Sequence, residues 1–233
     1  WHGPWCWEKL TPELDRLGLN WANVTLPSVG DGQPLGSLED DAAAIEAAAA
    51  SIAGDVVVVA HSYGGVPTTQ AKFGANVRHL IYLGAFMPDR GQSLVDLLPP
   101  GPLPPFVVSH EDGTTSVHPD HAIATFYADC RPDVAEWAIS HLRRHNGANN
   151  VAPVSRCAWR EHSSTFILLS DDFACPTMVQ RATCHQATLM HELTSSHSPF
   201  LSKPGVLAEL LSRSAGQSPT ESWPIERREP SPA

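Results

Sequence analysis

Apolar positions along this chain switch between helical and strand spacing. Residues 6–18 (CWEKLTPELDRLG) repeat apolar side chains at helical intervals and predict an amphipathic helix ending near Gly18. ANVTLP, 22–27, predicts a short strand. Residues 38–52 carry acids first and an alanine-rich body after, which suits a helix whose N-terminal dipole favours negative charge. DVVVVA, 55–60, is a continuous β-branched run of the kind buried on both faces of a parallel sheet. A helix over about 64–74 and a strand over 77–86 (VRHLIYLGAF) follow. This β-α-β-α-β rhythm predicts an α/β fold with a mostly parallel sheet flanked by helices.

The rhythm breaks at Pro88. A proline-rich bend (LLPPGPLPP, 97–105) leads into FVVSHEDGTTSV, a hairpin pattern with Asp112–Gly113 at its turn. Helical stretches near 119–126 and 131–144 come next. The parallel pattern resumes with TFILLS, 165–170, a helix near 176–187, a strand around 189–193 and a helix over about 203–213 entered at Pro204. The expected organisation is a core in two parts, 1–87 and 161–213, with a cap inserted at 88–160 and a disordered tail at 214–233.

Composition narrows the function. The formal net charge of −10 argues against a general nucleic-acid binder or an anionic-membrane binder. No apolar run approaches the ~18 residues that span a bilayer. Five cysteines, widely spread and without a C-x-x-C pair, suggest reduced thiols in a cytoplasmic protein. Residue 1 is Trp, not Met, so export stays open.

The candidate chemistry centres on VVVVAHSYGG, 56–65. A serine exposed on a strand-to-helix turn needs small residues two before and two after it, the G-x-S-x-G pattern. Ala60 and Gly64 fill those places around Ser62. The turn would aim the Tyr63 N–H and the helix N-terminus at a developing oxyanion. A helix-capping role for Ser62 is the plainer alternative. A serine nucleophile needs a base and a group to orient it, and on this elbow the chain order is Ser, acid, His. Asp171 and Asp172 follow the strand TFILLS, and His197 lies after the next strand, with His191 as runner-up. His141 and His145, i and i+4 in HLRRH, and His118 with His121 have metal-compatible spacing. No Glu follows the first His, and Arg143 and Arg144 would repel a cation, so no metal is expected.

Taken together, WHGPWCW (1–7), LPSVG (26–30), the elbow, HLIYLGAFMPD (79–89), HEDGTT (110–115), FYADC (126–130), SDDFACP (170–176) and SSHSPFLSKP (195–204) resemble the α/β-hydrolases. The resembling group includes plant hydroxynitrile lyases, plant methyl-ester esterases and bacterial pyrethroid-hydrolase-like esterases. The resemblance implies the α/β-hydrolase fold and a triad of Ser62, His197 and Asp172, which it favours over Asp171. It implies one oxyanion N–H from Tyr63 and no cofactor. In that family a first strand precedes the WHG segment, and the residue before Trp1 would supply a second oxyanion N–H; both are absent from this sequence. The expected substrate is a small apolar or aromatic carboxylic ester, held against Trp1, Phe86, Phe126 and Trp137. A homodimer is compatible with the reading. The lyase alternative is weakened by Ser198, where the lyases place a lysine after the catalytic histidine. A hydrolase scaffold that binds small ligands without turnover is the other alternative.

Overall fold

The computed structural model describes residues 1–216. In chain order its elements are α1 (Thr11–Arg16), β1 (Val29–Gly30), α2 (Leu38–Ser51), β2 (Val56–His61), α3 (Gly65–Gln70), β3 (Val77–Leu83), β4 (Val107–Ser109), β5 (Thr114–Val117), α4 (Pro119–Phe126), α5 (Pro132–His141), β6 (Arg144–Asn146), α6 (Ala158–Glu161), β7 (Ser164–Leu169), α7 (Thr177–Thr183), β8 (Leu189–Leu193), α8 (Pro199–Ser202) and α9 (Pro204–Gly216). Short 3-10 turns punctuate them, including Pro4–Trp7 and Ser62–Gly64.

Four strands form a parallel sheet in the order β2-β3-β7-β8. Its register places His61 opposite Leu83, Leu83 opposite Ile167, and Leu169 opposite Leu193. All four strands therefore end at one level, and the segments that carry Ser62, Asp172 and His197 leave the sheet on the same side. Among the described residues β2 pairs only with β3, so it stands at an edge.

Alternate residues of β3 and β7 feed two apolar layers, as the period of a strand requires. Ile81, Leu83, Ile167 and Leu169 pack with Leu207 and Leu211 of α9 on one face. Leu80, Tyr82, Phe166 and Leu168 pack on the other. Burial of both faces explains the unbroken hydrophobic runs of these strands.

α2 begins with a reciprocal cap: the Ser37 hydroxyl accepts from the Asp40 N–H at 3.2 Å, and the Asp40 carboxylate accepts from the Ser37 N–H at 2.8 Å. The acids of its first turn complement the helix dipole.

Above the sheet lies a small antiparallel sheet, β1-β6-β5-β4, with α4 and α5 beside it. The hairpin turning at Asp112–Gly113 is its β4–β5 pair. β1 joins this sheet from outside the 88–160 insertion, with Val29 opposite His145.

Several sequence expectations are corrected. The expected helix over 6–18 is a 3-10 turn followed by α1, because Pro12 lacks the N–H that a continuing helix needs and instead opens a new one. Residues 22–27 are not a strand; only Val29–Gly30 pairs. The helix expected over 131–144 ends at His141, and Arg144–Asn146 becomes β6. His141 and His145 therefore do not share a helix face. Residues 214–216 of the expected tail belong to α9, and the rest of 214–233 lies outside the described residues.

Candidate active site

β2 runs straight into the turn that presents Ser62. Ser62 has φ +54°, a left-handed conformation costing a side-chain-bearing residue about 1–3 kcal/mol. Neighbouring backbone holds the turn there. The Ser62 carbonyl accepts from the Phe86 N–H at 3.1 Å. A Cβ on Gly65 would stand 2.1 Å from the Phe86 carbonyl oxygen, so only glycine lets the helix start this close to that segment.

Asp172 follows β7 and is buried. One carboxylate oxygen accepts from the N–H groups of Ala174 and Cys175 at 2.8 and 2.9 Å. The other accepts from the Gln180 amide at 3.0 Å and faces His197 Nδ1 at 2.8 Å. Gly84, at φ +47°, makes room: a Cβ there would come within 3.1 Å of that oxygen. Asp171 points elsewhere, is exposed, and accepts from the Ser170 hydroxyl.

His197 is fully buried at the strand end after β8. Facing an acceptor-only carboxylate, Nδ1 carries the proton and Nε2 presents a lone pair. That Nε2 is buried with no hydrogen-bond partner. His61, the residue before Ser62, binds the His197 carbonyl oxygen through Nε2 at 2.8 Å, and the two rings lie 4.3 Å apart. The elbow and His197 are thus adjacent. Ser195 and Ser196, just before His197, both donate to Asp129 of the cap, which also meets Lys203 at 3.2 Å.

Three neutral histidines crowd this region. Burial, before any other cause, pushes His2, His61 and His145 well below the ordinary imidazole range. His2 meets the Tyr127 hydroxyl at 2.8 Å, and the His145 ring sits 4.4 Å from that of Tyr63.

A cleft of about 1710 Å³ opens over Ser62 and runs beside β2. Trp1, Phe86, Phe106, Phe126 and His145 are among its walls. Trp1 packs edge-on against Phe106 and Phe126, and Phe126 reaches the His197 ring at 5.4 Å. Trp137 does not line this cleft. It packs on Trp5 and His141, away from Ser62. Among the described residues no three His, Cys, Asp or Glu side chains converge as a metal site, and no helix is long and apolar enough to cross a membrane. All five cysteines are free thiols.

Sequence reasoning missed His61, Asp129 and Gln180. Gln180 had a signal, being a polar residue on the buried face of α7 beside Val179 and Thr183. His61 had none beyond its place next to Ser62.

A family model described as alpha/beta hydrolase family matches residues 1–210. An alpha/beta hydrolase, nvfD, of Aspergillus novofumigatus is 28% identical over 93% of this chain and 93% of its own length. A carbendazim hydrolyzing esterase of a Nocardioides species is 35% identical over 46% of this chain and 47% of its own. Among solved structures, a polyneuridine aldehyde esterase mutant superposes with a TM-score of 0.77 at 19% identity, covering 91% of this chain and 94% of that one, a likeness that bears on the fold.

Proposed function

The chain belongs to the alpha/beta hydrolase family and is a carboxylic ester hydrolase, and from that premise we propose that Ser62 is its nucleophile, acting on a small apolar or aromatic ester through an acyl-enzyme. One observation carries this reading. Ser62 is held at positive φ over the cleft, while a buried His197–Asp172 pair stands beside the elbow with its outer imidazole nitrogen unpartnered.

The Ser62 oxygen attacks the ester carbonyl carbon, and its proton passes to His197 Nε2. Asp172 keeps the imidazole in the required tautomer and stabilises the imidazolium. Negative charge collects on the former carbonyl oxygen, opposite the Tyr63 N–H. Tyr63 is the second residue of its turn, so that N–H has no intrahelical acceptor. Collapse breaks the bond to the alcohol oxygen, which takes the proton from His197. Water then attacks the acyl group, gives a proton to His197, and releases the acid and the Ser62 hydroxyl. The aromatic walls formed by Trp1, Phe106 and Phe126 support an apolar or aromatic substrate.

Short-chain aryl esters test this. Turnover is expected to fall at least ~10³-fold in Ser62→Ala, and a fluorophosphonate is expected to label Ser62 alone. Equal turnover by both proteins, or a label on another residue, overturns the assignment.

A further inference from the structure

Asp41 is a fully buried carboxylate with no place in the triad. It sits in the first turn of α2. One of its oxygens accepts from the Ser28 N–H at 2.9 Å. The other accepts from the Tyr63 hydroxyl at 2.7 Å. The same hydroxyl accepts from the Asn149 amide at 3.1 Å, and Asn149 also donates to the Gly36 carbonyl at 3.3 Å. Tyr63 is therefore held at its far end by residues from two distant segments, Asp41 and Asn149.

The elbow needs such a hold on this side. Toward β3 it is fixed by the Phe86 N–H and by the packing of Gly65 on the Phe86 carbonyl. On the other side β2 has no strand partner among the described residues. A strained residue persists only where its surroundings over-determine it. A phenol donating to a carboxylate is short, directional and about twice as strong as a bond between neutral groups.

We propose that Asp41 is a positioning residue, whose carboxylate clamps the Tyr63 phenol and thereby fixes the Tyr63 N–H where the oxyanion forms. The proposal rests on the nucleophile assignment above. It separates binding from chemistry, because the clamp bears on the transition state and its hydrogen bonds involve none of Trp1, Phe106 and Phe126.

The experiment compares Asp41→Asn, Tyr63→Phe and the double variant with the parent on an aryl ester. Each single variant is expected to lose about 10- to 100-fold in kcat, with KM within about twofold. The double variant is expected to be no worse than the poorer single one, since both cut the same bond. Affinity for an aryl trifluoromethyl ketone, whose hemiketal on Ser62 carries a negative oxygen, is expected to fall by the same factor as kcat. Affinity for the product acid is expected to hold. Should Asp41→Asn fail to fold, Tyr63→Phe removes the clamp from its other end and carries the test. Unchanged kcat in folded Tyr63→Phe, or a loss confined to melting temperature, overturns the proposal. Full activity in Ser62→Ala would remove the nucleophile assignment and this proposal together. An inactive Ser62→Ala beside a fully active Asp41→Asn would remove only the role of Asp41.

Discussion

Two buried carboxylates flank this site, and they are held in opposite ways. Asp172 draws its donors from the eight residues that follow it: the N–H groups of Ala174 and Cys175, and the amide of Gln180. Asp41 binds Ser28 and Tyr63, and through Tyr63 it reaches Asn149 in the cap. The acid side is a local construction on the sheet. The elbow's outer flank exists only when distant segments meet. Local construction gives a self-contained partner for His197, whereas the flank ties the Ser62 turn to the cap.

The largest expected effect tests the acid side. Asp172→Asn should lower kcat by about 10⁴-fold, because an amide can hold the wrong imidazole tautomer. Asp171→Asn, on an exposed side chain one residue away, should stay within about twofold. Steady-state kinetics on one ester checks both, and equal losses would erase the distinction between the two aspartates.

Acid should act on the other flank first. His2, His61 and His145 lie about the elbow and are held neutral by burial, so their folded-state affinities for protons fall below those of the unfolded chain. The unfolded state then binds more protons, and stability rises with pH. This contribution is complete above the unfolded value near 6.5 and is lost as pH falls below it. Each such histidine removes at most about 1.4 kcal/mol per pH unit, the slope reached once the unfolded imidazole is fully protonated. Urea unfolding at pH 7.5 and 5.5 measures it, and a flat profile would show that these rings do not stay neutral.

The smallest effect sharpens the local side. Gln180→Leu leaves one Asp172 oxygen and the Leu169 N–H without the amide, at a cost of about 1–3 kcal/mol. Denaturant midpoints check this. An unchanged midpoint would mean that the two backbone donors alone suffice.

Legibility in the sequence follows the same division. The β-branched run of β2, the elbow, and the strands β7 and β8 show in the pattern because each depends on neighbours a few residues away. The order of Ser62, Asp172 and His197 is readable for the same reason: each follows a recognisable strand. The strand expected over 22–27 failed because its extended, β-rich composition gained no partner, and pairing began only at Val29. The helix expected over 131–144 forms but stops at His141, because Arg144 and His145 found a ladder with β1 and β5, a tertiary choice that helical spacing cannot express. Trp137 looked like a pocket residue by type, but its partners Trp5 and His141 turn it away from the cleft. The Asp41 clamp joins residues 13, 22 and 86 positions apart and has no local signature.

The bond from His61 Nε2 to the His197 carbonyl has a mechanical consequence. His61 is covalently joined to Ser62, and the carbonyl belongs to His197. One hydrogen bond thus ties the turn that carries Ser62 to the segment that carries the His197 ring. On the proposed mechanism the gap that the proton crosses is then spanned by a single hydrogen-bonded frame, much as two instruments bolted to one plate share one alignment.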